Sequence, residues 1–286
     1  MVESTSGYEW LMSQEPSLEQ HLYHYTSVDA LQRILDGSSI RLGSLAKTND
    51  PCEYNEWIAD LFFSSGHEGP PDAPSDEVEQ AMEDIDRLLR RNVCVGCFTL
   101  DREPRREAGA EDLFHLGWAR ARMWDQYAQK NTGACLVFDQ STLVGCVEDA
   151  CAIEGSDFER MQGRVNYFDQ RRVLGVALDA IRRDGVNEVI ERLRSAQFNP
   201  TGLYYRKNHD WASEEEYRIT VVRSNPAEDQ LDRPLMVPFQ DSLEAIVVGE
   251  HFPSTEMNVI RHRQAANGIP IFQCLWIDGA PHLEIL

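Results

Sequence analysis

Histidine, tyrosine, hydroxyl and carboxyl side chains gather at two places far apart in this sequence. The first is Leu22-Tyr23-His24-Tyr25-Thr26-Ser27, followed by Lys47-Thr48-Asn49-Asp50-Pro51-Cys52-Glu53, and the second is Trp211-Ala212-Ser213-Glu214-Glu215-Glu216-Tyr217-Arg218. Read as the start of a strand, the second run puts Glu214, Glu216 and Arg218 on one face and Glu215 and Tyr217 on the other. Adjacent carboxylates disfavour each other's ionisation unless a cation or ligand intervenes, and Arg218 is a candidate for that cation. The apolar run Ile219-Thr220-Val221-Val222 then carries the acids straight into a buried sheet. Structural readings stand beside these. The acids could be a solvated strand entry, His24 a satisfied histidine between two tyrosines, and Asn49-Asp50-Pro51 a turn with a helix cap. Met123-Trp124 with Tyr127 could be a buried helical stripe. The two polar clusters, far apart in sequence, suggest one site, and together the readings leave four polar-aromatic clusters placed in one fold.

The elements that must position them follow from periodicity and caps. Leu22 to Thr26 reads as a strand. Ser27 then caps a helix over Val28 to Gly37, with apolar residues at helical spacing and a closing glycine. Ser39 to Ser44 reads as a strand, and Pro51 allows a helix from Cys52 through Trp57, Ile58, Leu61 and Phe62. The Gly- and Pro-rich stretch from Ser64 to Ser75 is an exposed loop, after which Asp76 to Arg91 is helical. Val93 to Leu100 is a strand, Asp101 to Asp112 a charged loop, Leu116 to Gln129 a helix and Gly133 to Asp139 a buried strand. A strand near Arg164 to Phe168 and a helix from Gln170 to about Gln197 follow, the helix ending before Asn199-Pro200. Tyr217 to Arg223, Leu243 to Gly249 and Ile271 to Ile277 are strands, with a helix between the last two and the final strand closing the sheet. Strands separated by helices of uneven length, with no repeat, define a mixed α+β class. The expected organisation is an extension over residues 1–20 and a single α+β domain over residues 21–286.

Composition excludes several functions. The chain has 286 residues, 42% hydrophobic and 26% charged, as in ordinary globular proteins. No apolar run approaches the roughly 20 residues that span a bilayer, and Met1 to Gln20 lacks the features of an export signal. A cytoplasmic location without a membrane partner is expected. With 27 Lys+Arg against 48 Asp+Glu, the net charge of -21 repels phosphate backbones at long range. The arginines at 102, 105, 106, 120 and 122 could form a local basic groove or a solvated face. Seven cysteines without framework spacing fit free thiols. Cys94 and Cys97 form a C-x-x-C, but on a strand they point to opposite faces, so no metal site is expected. Phosphate-binding glycine loops, His-Glu-x-x-His and Gly-x-Ser-x-Gly are missing.

On four motifs the chain resembles the bacterial DUF2971 family. They are His24-Tyr25-Thr26-Ser27; Asn49-Asp50-Pro51 with Glu53; Met123-Trp124 with Tyr127 before Gly133; and Trp211 with Glu214, Glu216, Tyr217 and Arg218. The resemblance spans about Leu22 to Gly249, and the family name carries no function. A second resemblance carries chemistry. Leu22 to Thr26, followed by a short helix, is similar to the first motif of ADP-ribosyltransferases of the His-Tyr-Glu type, and Glu216-Tyr217-Arg218-Ile219 resembles the strand bearing their catalytic glutamate. Two departures stand out. Tyr25 replaces the glycine that usually follows the histidine in poly-ADP-ribose polymerases, and the middle-strand tyrosine has two candidates, Tyr127 and Thr99.

That resemblance implies a mainly antiparallel split-sheet core with helical insertions, and NAD as a substrate. Breaking the nicotinamide–ribose bond builds positive charge on the ribose, which a carboxylate can stabilise while holding the 2′-hydroxyl. Glu216 would take that role, Glu214 would orient or deprotonate the acceptor, and His24 would donate to a ribose hydroxyl. Tyr25 or Tyr127 would cover the nicotinamide ring, and Thr26, Arg41, Asn49, Asp50 and Arg218 complete the expected NAD-binding set. The implied function is transfer of ADP-ribose to a macromolecular acceptor, protein or nucleic acid. Such an enzyme could act as a toxin or phage-defence effector with an antitoxin or regulatory partner. The alternative is a non-catalytic binding or regulatory module of the same fold.

Overall fold

The computed structural model describes residues 11, 20–55, 59–62, 75–103, 113–155, 157–169, 174–193, 203–224, 226–265 and 268–286. Most of the N-terminal extension, the loop expected over residues 64–75 and most of the charged loop over residues 101–112 lie outside them. The chain opens with β1 (His21–Thr26), α1 (Val28–Gly37), β2 (Ser39–Ser44), α2 (Pro51–Tyr54) and β3 (Ala59–Phe62). Next come α3 (Ser75–Asp86), which runs into a π-turn (Arg87–Arg91), then β4 (Val93–Thr99), α4 (Ala121–Gln126), β5 (Ala134–Asp139) and α5 (Gln140–Glu154). The middle of the chain forms β6 (Phe158–Arg164), β7 (Asn166–Phe168), β8 (Leu174–Ala177), α6 (Leu178–Asp184), α7 (Val186–Arg192) and β9 (Arg206–Asn208). The last part holds a 3₁₀ turn (His209–Glu214), β10 (Glu216–Arg223), β11 (Leu235–Pro238), β12 (Leu243–Val248), α8 (Ser254–Ala265), β13 (Ile271–Ile277) and β14 (Ala280–Ile285).

The fold is α+β, built on an open ten-stranded sheet that runs β11-β2-β4-β1-β5-β12-β13-β14, with β10 and then β6 branching from β4. All its pairings are antiparallel except β12 with β13. β4 is where the sheet divides. One of its edges pairs with β10 from Val93↔Val222 to Thr99↔Glu216. The other edge is shared, with β2 at Cys94 and Val95 and β1 at Thr99 alone. β1 and β2 therefore diverge, leaving a fork over Gly96 to Phe98.

Alternation along the strands explains the two faces of this sheet. Leu22, Phe98, Leu136, Phe138, Tyr217, Ile219 and Val221 point to one face, where α1 and α5 cover them with Leu31, Ile34, Leu143, Val147 and Cys151. The opposite face carries two separate apolar clusters. One joins Tyr23, Tyr25, Cys135, Val137 and Val247 to Trp118, Met123 and Trp124. The other joins Val93, Val95 and Val222 to Leu88, Leu89, Ile190 and Tyr205. Between them β4 offers Cys97 and Thr99, and β10 offers Arg218 and Glu216, so the side chains turn from apolar to polar along one face. Gly117 lets the covering segment press on the sheet, since a Cβ there would meet Tyr23 Cδ2 at 2.2 Å.

Several elements differ from the expectation. The helix expected from Cys52 through Phe62 stops at Tyr54, where Asn55 takes an extended backbone and its N–H donates to the Pro51 carbonyl. Leu61 and Phe62 instead lie on β3, which pairs in parallel with β8; a short apolar run suits either conformation. Trp57 and Ile58 lie outside the described residues. The helix expected over Leu116 to Gln129 shrinks to α4 because Gln129, Lys130 and Asn131 take φ of 48°, 57° and 63°, a left-handed run that no helix continues through. In place of one long helix after Gln170, β8 is followed by α6 and α7, broken apart at Gly185 with φ of 87°. Helix α5 had no counterpart in the sequence reading, and β14, not β13, is the terminal strand of the sheet.

Candidate functional site

The polar strip on β4 and β10 floors a pocket of about 330 Å³, within the range of small-molecule sites. Its lining includes His24, Tyr25, Arg41, Asn49, Asp50, Thr99, Tyr127, Glu214, Glu216 and Arg218. Of the residues assigned to the site from sequence, only Thr26 is not in the lining. It lies buried at the end of β1, in register with Ala134. Both candidates for the middle motif, Tyr127 and Thr99, line the same pocket.

His24 enters through the fork. Its Nδ1 lies 3.2 Å from the Cys97 carbonyl oxygen, and its ring packs on Phe98 with centroids 5.8 Å apart. A carbonyl can only accept, so Nδ1 carries the proton and Nε2 of the neutral ring is an acceptor. Burial lowers the His24 pKa and the charge of Arg41 lowers it further, against the opposing effect of the Cys97 bond. In this state Nε2 can accept a hydrogen bond, and the expected donation to a ribose hydroxyl would need the protonated ring.

The acids belong to a buried ion network. Glu216 Oε1 and Oε2 accept from Arg218 Nε at 2.6 Å and Nη2 at 3.2 Å, and Oε2 also accepts from Lys207 Nζ at 3.0 Å. Lys207 Nζ reaches Glu214 Oε2 at 2.7 Å, and Tyr127 OH donates to Glu214 Oε1 at 2.7 Å. Arg218 Nη1 pairs with Glu53 Oε1 at 2.6 Å and donates to the Tyr204 carbonyl at 2.7 Å. Burial by itself would raise the Glu216 pKa, but Arg218 and Lys207 overcome it and hold the carboxyl at about 2. Burial would likewise lower Lys207, yet the charges of Glu216 and Glu214 leave its pKa raised. Burial and the Glu214 charge push the Tyr127 phenol up.

Local sequence accounts for this placement. Glu214 ends the 3₁₀ turn and Glu215 takes a left-handed φ of 46°, so the chain swings Glu214 back over the strand that begins at Glu216. Trp211, in the same turn, lies under two cations, with Lys207 Nζ 4.7 Å and Arg122 Cζ 5.8 Å from its ring centroid. Asp50 caps α2, its Oδ1 accepting from Cys52 N at 2.9 Å. Tyr25 OH donates to the Gly117 carbonyl at 2.7 Å and its ring meets Trp124 edge-on, so its fixed ring forms pocket wall.

Lys207 also lines the pocket and was missed from sequence, and Lys47 and Glu53, members of the first polar cluster that were given no role, line it too. Lys207 had one signal, an aromatic four residues on in Trp211, whereas Glu53 stood in the Asn49-Asp50-Pro51 motif and takes its role from its distant partner Arg218. Cys94 lies in the apolar cluster under α1 and α5, and Cys97 faces the pocket, as their spacing on a strand requires. Among the described residues no group of three or more His, Cys, Asp or Glu could hold a metal ion, and no helix is long and apolar enough to cross a membrane.

Comparison with known proteins matches residues 123–219 to the family described as a protein of unknown function, DUF2971. The matched span contains Tyr127, Lys207, Glu214, Glu216 and Arg218; the motifs at His24 and Asn49 precede it. This match supports the first of the two resemblances alone. No curated protein and no solved structure matches the chain.

Proposed function

We propose that the protein is an ADP-ribosyltransferase-like enzyme that takes NAD as substrate and passes ADP-ribose to a macromolecular acceptor, a chemistry suited to a toxin or phage-defence effector. The observation that carries this reading is the convergence of His24, Tyr127, Glu214 and Glu216, from four separate elements, on one pocket. The residues fit the nicotinamide-ribose half of the substrate. His24 Nε2 is free to accept from a ribose hydroxyl, the Tyr127 ring offers a face for the nicotinamide, and the exposed Arg41 and Lys47 supply cations for a pyrophosphate. In the transfer, the bond from ribose C1′ to the nicotinamide nitrogen breaks, its electron pair leaves with nicotinamide, and positive charge develops at C1′. Glu216, held ionised by Arg218 and Lys207, faces that charge. The acceptor's nucleophile bonds to C1′ and gives up its proton, for which Glu214 is the adjacent base.

The test is nicotinamide release from NAD. Release by the wild-type protein, reduced about 10²–10³-fold in Glu216→Gln with an unchanged circular-dichroism spectrum, supports the assignment. Absence of release under all acceptors offered, or unchanged release in the variant, removes it. One observation favours the alternative of a non-catalytic binding module: both Glu216 oxygens are already engaged by Arg218 and Lys207. On that reading NAD raises the melting temperature and no nicotinamide is released.

A further inference from the structure

Two buried polar atoms in the pocket lining have no partner. Asp50 is 2% exposed; its Oδ1 holds the α2 cap, and its Oδ2 makes no hydrogen bond. Thr99 is 1% exposed and its Oγ1 makes none. Buried acceptors without partners are rare in folded proteins, and each one calls for an explanation. The buried part of the wall is also unbalanced in charge. Asp50, Glu53, Glu214 and Glu216 are buried lining residues set against two buried cations, Lys207 and Arg218, an excess of two formal negative charges; the other two lining cations, Arg41 and Lys47, are exposed, where water and salt screen them. Glu216, Glu214 and Glu53 are each in contact with Lys207 or Arg218, whereas Asp50 makes no ion pair with either.

We propose that Asp50 and Thr99 form the wall that reads the ligand, and that they select a ring cation joined to a sugar over the same molecule with a neutral ring. The free Asp50 oxygen supplies the unmatched charge that a cationic ring offsets. The Thr99 hydroxyl, adjacent to Glu216 across the β4–β10 ladder, serves the sugar whether or not the ring is charged. A neutral ring would leave the excess charge in a confined, low-dielectric space, where it costs more than in water. The proposal deepens the reading of the site as a nicotinamide-ribose pocket and rests on it for the identity of the ring.

The experiment is calorimetric titration of the full chain with NAD, NADH, nicotinamide riboside and its reduced, uncharged form. NAD is expected to bind at least about tenfold more tightly than NADH. Asp50→Asn keeps the cap, because asparagine caps helices as well as aspartate does. It should weaken NAD about tenfold and leave NADH within about twofold, removing the discrimination. Thr99→Val should weaken both alike. Equal affinity of wild-type protein for NAD and NADH, or equal weakening of both by Asp50→Asn, overturns the proposal while leaving NAD binding in place. If neither dinucleotide binds, the transferase reading falls and the riboside pair decides: preference for the cation upholds the proposal, and no preference or no binding overturns it. Should Asp50→Asn fail to fold, the wild-type comparison decides alone.

Discussion

His24 Nδ1 donates to the carbonyl of Cys97 at the point where β1 and β2 separate on β4. Neither strand supplies a residue opposite Cys97 on that edge, so an imidazole occupies the place of a missing ladder donor. One side chain thus belongs to both the sheet and the pocket. Replacement by phenylalanine keeps the ring against Phe98 and removes both nitrogens. His24→Phe is expected to lower stability by about 1 kcal/mol through the unpaired carbonyl and to abolish stabilisation by NAD, both read by thermal denaturation with and without the dinucleotide.

The same histidine predicts a pH dependence. Its folded pKa lies below the ordinary value near 6.5, so protonation favours the unfolded chain. Its stabilising contribution is complete above the unfolded pKa and declines as pH falls through it toward the folded one. Protonation also converts Nε2 from acceptor to donor. NAD-induced stabilisation should weaken as pH is lowered below about 6.5, measured by thermal shift from pH 8 to 5, and His24→Phe should show no such trend.

Glu216 works in the acid range. With its carboxyl at about 2 in the folded protein against 4.5 for the free group, its contribution is present above pH 4.5 and is lost as pH falls through about 2. Urea denaturation between pH 5 and pH 2.5 should therefore show a steeper loss of stability in the wild type than in Glu216→Gln.

Lys207 predicts the opposite sign. Lys207→Met leaves Glu214 and Glu216 close together with one cation fewer and should cost about 3–5 kcal/mol at pH 7. Removing the ammonium raises the carboxyl pKa values, so the variant should regain stability relative to wild type as pH falls toward 5. Chemical denaturation at the two pH values checks this, and a loss independent of pH would assign Lys207 to packing alone.

Gly117→Ala tests how the site's wall is held against the sheet. The added methyl would meet the Tyr23 ring at 2.2 Å, and the backbone beside it holds Tyr25 OH and Asp101 Oδ1. Overpacking here should cost about 1–3 kcal/mol, measured by denaturation, with a matching fall in NAD affinity because Tyr25 shifts with its partner.

The parts of the site legible in sequence are those where polar residues interrupt apolar patterns. His24 sits in a buried strand, and Glu216 and Arg218 open an apolar one, so both ends of the pocket stood out before their contact was known. Lys207 did not, because its strand of three residues is too short for any periodicity and its meaning comes from acids that fold back over it. Asp50 was legible as a cap, and that role hid its second oxygen. In the fold, α5 was missed although Asp139 accepts from Thr142 N at 2.8 Å as its cap and Gly155 closes it at φ 72°. Its buried face, Leu143, Cys146, Val147, Ala150 and Cys151, has helical spacing, but three of the five are the small residues Cys and Ala, so the stripe is faint. The helices over-extended from Cys52 and Gln170 failed for the reverse reason. Their apolar residues satisfied a helical period locally, and parallel pairing of β3 with β8, a contact between distant segments, took precedence.

β4 is bonded along one whole edge to β10, and β10 is bonded along its other edge to β6, so the two strands form a doubly held strip of backbone beneath the pocket. Thr99 and Cys97, and through the ladder Glu216 and Arg218, are therefore set before any ligand arrives, and little reorganisation is left for the moment of binding. Arg41 and Lys47 lie outside that strip, one exposed on β2 and the other in the turn after it, so on the proposed reading specificity would reside in the buried floor and capture at the exposed rim.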